Sequence, residues 1–178
     1  MKILDLGCGK NKHVIKDAEV IGLDKFPLEG VDVVHDLEKR PIPFKDNEFD
    51  EIYAVHVLEH IDNFFSVMEE AHRILKPGGI FKIWVPYGLA ALGMPDHKRF
   101  FTFRTFEVFN ENHPDSYFTV ARFKIKKAEL TFVTKKRGWG RVVNAIFNPI
   151  INFNHKFTQR FLRFLPISRM YIELECVK

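Results

Sequence analysis

The chain has 178 residues, 46% of them hydrophobic and 28% charged, with a formal net charge of +4. That length suits one domain with a real core, and the composition excludes a disordered or fibrous chain. No apolar run reaches the roughly 18 residues of a membrane-crossing helix, and the first residues lack the basic-then-apolar order of a secretory signal. The two cysteines, Cys8 and Cys176, form neither a CxxC knuckle nor a disulfide framework, so a reduced, cytoplasmic setting and no metal centre are expected. Charge is uneven: residues 1–119 hold 14 Lys and Arg against 20 Asp and Glu, and residues 120–178 hold 13 against 3. Such a basic flank serves an anionic surface or simply solvation.

Residues 3–6 (ILDL) and 20–23 (VIGL) are short apolar runs bounded by glycine and charge, the pattern of strands covered on both faces. VDVVH (31–35), FDEIYAV (49–55) and GIFKIWVP (79–86) predict a third, fourth and fifth strand. Between the last two, Phe64, Val67, Met68, Ala71, Ile74 and Leu75 recur at helical spacing, with Asp62 as the predicted N-cap and Pro77-Gly78-Gly79 as the stop. Only ten residues separate Gly9 from Val20, room for a helical turn or a plain loop. Strands alternating with helix or loop predict an α/β fold, a mostly parallel sheet with right-handed crossovers.

Beyond Pro86 the spacing predicts a loop over 87–101 and a short helix capped by Thr102, with Phe103, Phe106 and Phe109 or Val108 inward. YFTVARFKI (117–125) and AELTFVT (128–134) alternate with period two around Lys126-Lys127, as a hairpin would. A basic, Phe-rich stretch over 138–165 predicts two helices divided at Asn148-Pro149. RMYIELECV predicts a final strand. The expected arrangement is a single domain, 1–86 binding a cofactor and 87–178 a substrate, with the helical insertion at about 138–165.

A strand ending in Gly7-x-Gly9 lets a ligand lie against bare backbone. An acid ending the second strand, Asp24, is placed for ribose hydroxyls. A dinucleotide site would want glycine at position 12, where Lys12 stands. Asp5, just before the glycines, would repel phosphate and suit a cationic amino group, and Asp36 ends the third strand at an adenine edge. Three acids around one mouth favour a positively charged nucleoside.

LDLGCG (4–9), IGLD (21–24), HDLEKRPIPFKDNEFDEIYAVHVLEHI (35–61) and HRILKPGGIFKIWVP (72–86) together resemble the class I S-adenosylmethionine-dependent methyltransferases, type 11 in particular. The resemblance implies a Rossmann-like sheet with an antiparallel final strand, preceded here by the helical insertion. It implies S-adenosylmethionine as cofactor, with Asp5, Gly7, Cys8 and Gly9 along its methionine part. Asp24 would bind the ribose with Lys25 beside it, Asp36 and Leu37 would hold the adenine, and His56 would stand near the sulfonium. Asn11 takes the place of the family's third glycine and no helix precedes the first strand, which implies a less enclosed cofactor or one covered by the insertion.

Methyl transfer needs alignment, exclusion of water and sometimes a base. Candidates are His56, Glu59 and His60 in HVLEH, where the last two also suit the start of a helix, and His97 in PDHKRFF, otherwise a surface loop. His97 is favoured as a substrate-side residue because loops at the carboxyl ends of strands carry function. No Asn-Pro-Pro-Tyr or Asp-Pro-Pro-Tyr follows the fourth strand, so nucleobase amine methylation fits poorly.

Val142, Ile146, Phe147, Ile150, Phe153, Phe157, Phe161, Phe164 and Leu165 form an apolar stripe interspersed with Arg141, Lys156, Arg160, Arg163 and Arg169. Core, a homodimer face, a lid over the acceptor and peripheral membrane contact all suit it. The segment from Asn148 onward is similar to tails of type 11 enzymes that act on surface polysaccharides, which points to a sugar- or lipid-linked acceptor. The leading expectation is methyl transfer to a small-molecule or lipid/sugar-linked acceptor. Behind it stand a catalytically silent cofactor-binding partner protein and an RNA methyltransferase; nucleic acid ranks lower because the Phe residues do not form a stacking platform. A nicotinamide enzyme conflicts with Lys12 and the three acids.

Overall fold

The computed structural model describes residues 1–134, 138–162 and 165–178; Arg163 and Phe164 of the expected stripe lie outside the described residues. Seven strands form one sheet: β1 (Lys2–Leu6), β2 (Glu19–Asp24), β3 (Val33–Val34), β4 (Phe49–Val55), β5 (Leu75–Pro86), β6 (Phe123–Thr131) and β7 (Arg169–Cys176). Their order is β3-β2-β1-β4-β5-β7-β6. β1 to β5 run parallel, and β7 lies antiparallel between β5 and β6. The chain reverses direction across the sheet after β3, so the carboxyl ends of β1, β2 and β4 open onto a shared crevice.

Helix α1 (Phe64–Ile74) buries Phe64, Val67, Met68, Ala71 and Ile74 against the sheet. The larger of these side chains contribute roughly 1.5–3 kcal/mol each on leaving water. Its N-cap is Asn63 rather than Asp62, and neither side chain caps it. Glu38 instead anchors the approach to the helix, its carboxylate accepting the Asp62 and Asn63 amides at 2.6 and 3.1 Å. Pro77-Gly78-Gly79 does not end the helix: α1 stops at Ile74, and β5 begins at Leu75, which pairs with Phe49. The 10–18 connection contains no helix, and helix α2 (Phe103–Glu107) starts at Thr102 with a reciprocal Thr102–Thr105 cap and Phe103, Phe106, Val108 and Phe109 inward.

Two expectations fail in the second half. Residues 117–134 are not a hairpin. They hold one strand, β6, in which Lys126 is the extra residue of a bulge between Ile125 and Lys127. Nor does Asn148-Pro149 divide two helices. Helix α3 (Trp139–Phe153) runs through Pro149, and the break before α4 (His155–Phe161) falls at Asn154, whose side chain caps α4 by accepting the Phe157 amide.

The reason is a ladder of asparagines one helical turn apart. Asn152 accepts the Leu130 amide and donates to its carbonyl (2.7 and 2.8 Å), Asn148 accepts from Phe132 N (3.0 Å), and Asn144 accepts and donates at Val133 (2.9 and 2.7 Å). These amides satisfy the open edge beside β6, which would otherwise be free to pair with another chain. The docking leaves Val142, Ile146, Ile150 and Phe153 of the expected stripe exposed, the last by 90%, with Trp139 exposed beside them, while Phe147 of the stripe is half-buried and stacks on Phe132. Core is therefore excluded as the role of the five exposed residues.

A polar clamp fastens the 40–46 loop to α1. Glu70 accepts from Ile42 N (2.7 Å) and Arg73 (2.8 Å), while Arg73 also donates to the carbonyls of Ile42 and Phe44. Burial alone would raise the Glu70 pKa, but Arg73, the Ile42 amide and Arg40 together hold it below the ordinary value of 4.5. A depressed carboxylate stabilises the fold fully above that ordinary value and loses its contribution as pH falls through the lowered one. Glu70→Gln should lower stability by about 1–3 kcal/mol at neutral pH. Urea unfolding over a pH series should show the gap to wild type closing as pH falls below the ordinary value of 4.5 and through the lowered one. Asn152→Ala should leave the Leu130 amide and carbonyl unpaired, costing about 1–3 kcal/mol and raising the hydrogen-exchange rate of Leu130 above that of β1 amides.

Candidate functional site

The mouth of the sheet is built around the turn after β1. Gly7 has φ +63°, and a Cβ there would stand 2.4 Å from Val57 Cγ2, so only glycine fits. The Gly7 and Cys8 amides both donate to the Leu23 carbonyl, at 2.7 and 3.2 Å, tying the turn to the end of β2. Gly9 also lies at positive φ, with nothing within 4 Å of where its Cβ would be. Its amide donates to Asp24 Oδ2 at 3.0 Å, while Phe26 N donates to Asp24 Oδ1 at 3.0 Å. Lys12, standing where a dinucleotide motif would have glycine, anchors the loop instead: it pairs with Asp32 at 2.7 Å, and Asp32 accepts the Gly22 amide at 2.7 Å. The Gly22 amide, then Lys12, holds the Asp32 carboxyl below its usual range.

A cavity of about 460 Å³ opens beside this turn. Gly7, Asp24, Lys25, Asp36, Leu37, His56 and His60 all line it, joined by Phe26, Leu28, His35, Glu38, Val57, Ile61, Asp96 and Lys98. Asp36 Oδ1 accepts the Glu38 amide at 3.1 Å, which holds the start of the 36–39 turn. Of the expected cofactor residues, Asp5, Cys8 and Gly9 do not line the cavity. Asp5 is buried, and its Oδ2 accepts both the backbone amide and Nδ1 of His13 at 2.8 Å, because the 10–18 loop folds back over it. Cys8 is buried too; burial, then Asp5 and Asp24, pushes its thiol up to about 11, so it is protonated at neutral pH and is no nucleophile.

The histidines come together at the far wall. His56 follows β4 with φ +55°, an uncommon conformation for a non-glycine residue, and its Nδ1 lies 3.0 Å from Oε1 of the fully buried Glu59. His60 Nδ1 stands 3.1 Å from Asp96, and its ring meets that of His97 edge-on with centroids 4.9 Å apart. His97 sits behind His60 rather than in the cavity lining, with Nδ1 2.9 Å from the Ala91 carbonyl. The 95–101 loop is pinned there: Lys98 N donates to the Glu59 carbonyl at 2.7 Å, and Arg99 donates to the carbonyls of Ile61 and Asp62 at 2.7 Å. Asp96, Lys98, His35 and Glu38 were not singled out from sequence; the acid and base flanking His97 were their clearest signal.

A second hollow, of about 520 Å³, lies where the 87–104 segment faces α4. Tyr87, Leu89, Phe100, Thr102, Arg104 and Gln159 line it, and Leu89 and Phe100 are more than half exposed. Burial pushes the Tyr87 hydroxyl up to about 12, so it remains a neutral donor.

The residues present fit S-adenosylmethionine: the Gly7 backbone in the cavity wall, open space over Gly9, and the acids Asp24 and Asp36 at one mouth. Comparison with known proteins agrees. Residues 4–83 match the family described as Methyltransferase domain. The sterol 24-C-methyltransferase erg6 of Aspergillus fumigatus is 29% identical over 120 residues, 56% of this chain and 32% of that protein. The sterol 4-C-methyltransferase strm-1 of Caenorhabditis elegans is 34% identical over 101 residues, 46% of this chain and 30% of that protein. The chain thus spans about a third of the length of these relatives. A solved S-adenosylmethionine-dependent methyltransferase from Archaeoglobus fulgidus superposes with TM-score 0.62 at 16% identity, covering 98% of this chain and 85% of that one. The sheet order, the glycine turn and the sequence match converge: residues 4–83 match a methyltransferase domain, the whole chain takes the fold of the class I S-adenosylmethionine-dependent methyltransferases, and S-adenosylmethionine is the cofactor that match indicates.

Proposed function

We propose that the protein transfers a methyl group from S-adenosylmethionine to an apolar, lipid-like small molecule. The observation that carries this reading is the 460 Å³ cavity, where the Gly7 backbone, Asp24 and Asp36 share one mouth. Bound there, the cofactor supplies an electrophilic methyl group on a sulfonium. Asp24 accepts from the ribose hydroxyls with the lone pairs its bonds to Gly9 and Phe26 leave free. Asp36 and Leu37 hold the adenine edge, and Lys25 lies beside the ribose. His56, fixed by Glu59, faces the reacting end. Asp5 and Cys8 act from beneath, through the shape of the turn; Asp5 meets the cofactor's amino group only where His13 gives way.

A lipid-like acceptor is supported by three features. Two of the relatives, 29% and 34% identical over 56% and 46% of this chain, are named as sterol methyltransferases. The second hollow is largely apolar-walled, with Leu89 and Phe100 at its mouth. The outward stripe of α3, from Trp139 to Phe153, runs beside Arg141, Lys156 and Arg160, an arrangement suited to lying on an anionic, lipid-bearing surface.

Titration calorimetry with S-adenosylhomocysteine should show one binding event per chain, weakened at least about tenfold by Asp24→Ala, as expected from losing charged hydrogen bonds. Incubation with methyl-labelled cofactor and dispersed lipid extracts should then move label into the organic phase. Product binding without any labelled lipid, sugar or small molecule would replace transfer with cofactor binding alone.

A further inference from the structure

We propose that Glu59, His60 and His97 form a binding site for one divalent transition-metal ion in the cavity wall to which His60 belongs. A carboxylate oxygen of Glu59 and one ring nitrogen of each histidine all lie within 4.8 Å of one another. Two histidines and one carboxylate are a donor set that Zn²⁺ and Fe²⁺ take with positions left open for water or substrate. In a tetrahedral site with bonds near 2.0–2.1 Å the donors stand about 3.3 Å apart, so closure asks each pair to draw in by about 1.5 Å at most.

Two further observations point to a ligand rather than to a chance cluster. Glu59 is fully buried, and its Oε2 has no hydrogen-bond partner among the described residues. An unpartnered buried carboxylate oxygen is costly, and a cation is the partner that resolves the cost. Each donor is also oriented from behind: the Glu59 carboxylate by His56 Nδ1 (3.0 Å), the His97 ring by the Ala91 carbonyl at Nδ1 (2.9 Å), and the His60 ring by Asp96 beside Nδ1 (3.1 Å). Backing of imidazole by a carbonyl or carboxylate fixes the tautomer that leaves Nε2 free to ligate. The sequence held no sign of this because Glu59-His60 and His97 lie on separate loops, joined by the bond from Lys98 N to the Glu59 carbonyl.

The ion's chemical use rests on the methyltransferase reading: coordinated through an open position, an acceptor hydroxyl would lose its proton more readily. Binding itself does not rest on that reading and is measured without cofactor. The full chain, stripped with a chelator, is titrated with Co²⁺ followed by visible absorption and with Zn²⁺ followed by calorimetry. One equivalent should bind with nitrogen and oxygen ligation, and His97→Ala, His60→Ala and Glu59→Gln should each weaken it at least about tenfold. His113→Ala, at a histidine outside the cluster, should leave it unchanged. Far-UV circular dichroism and the urea midpoint of the same variants report folding; should Glu59→Gln not fold, the two histidine variants decide. Absence of saturable binding, a thiolate charge-transfer band, or binding that survives both histidine substitutions would overturn the site. Co²⁺ binding in a chain that ignores S-adenosylhomocysteine would instead leave the site standing and remove the methyltransferase role.

Discussion

Asp24 joins the two sides of the cofactor mouth. One oxygen takes the Gly9 amide and the other takes the Phe26 amide, both at 3.0 Å. The glycine turn after β1 and the segment after β2 are thereby held at one carboxylate, which also faces the cavity. Hydrogen bonds to a charged acceptor are worth about 1.5–3 kcal/mol each, enough to fix a turn whose two glycines sit at positive φ. On the proposed reading, the residue that would recognise the nucleoside is therefore the one that shapes the backbone the nucleoside would lie on. Recognition and architecture cannot be separated at this position.

The rest of the molecule keeps that mouth open in one direction and closed in the others. Gly7 packs against Val57, so the turn presses on the segment after β4 that carries His56, Glu59 and His60. Lys98 and Arg99 bind the 95–101 loop over the same segment through main-chain carbonyls, which brings His97 behind His60. At the opposite edge, the Asn144, Asn148 and Asn152 ladder seals β6 and commits the apolar stripe of α3 to the outside. Polar groups thus decide which apolar surface is core and which stays exposed.

Much of this was legible in the residues. β1, β2, β4 and β7 carry simple burial patterns between clear stops, and the α1 face repeats at three and four, so local periodicity and tertiary burial agree. The errors arose where one residue has two readings. Lys126-Lys127 looks like a turn, yet a bulge needs only one extra residue and keeps the strand going. Pro149 looks like a helix end, but asparagines at every fourth position bind α3 to the β6 edge strongly enough to carry the helix past it. Asp62 looks like a cap, yet Asn63 holds that position and Glu38, from another loop, ties down the amides just ahead of the helix. Of the residues that line the cavity, Asp24, Asp36 and His56 were expected from their places at or just past strand ends, and His60 from the HVLEH segment. The sealing of Asp5 by His13 and the meeting of Glu59, His60 and His97 depend on how loops fold back, which no local pattern encodes.

The central claim is that one carboxylate, Asp24, both fixes the glycine turn and receives the nucleoside. A crystal structure of the chain with S-adenosylhomocysteine measures this directly. The account requires both ribose hydroxyls within hydrogen-bond distance of Asp24 while Gly9 N still donates to the same side chain. A nucleoside seated in the second hollow, or a ribose held without Asp24, would contradict it.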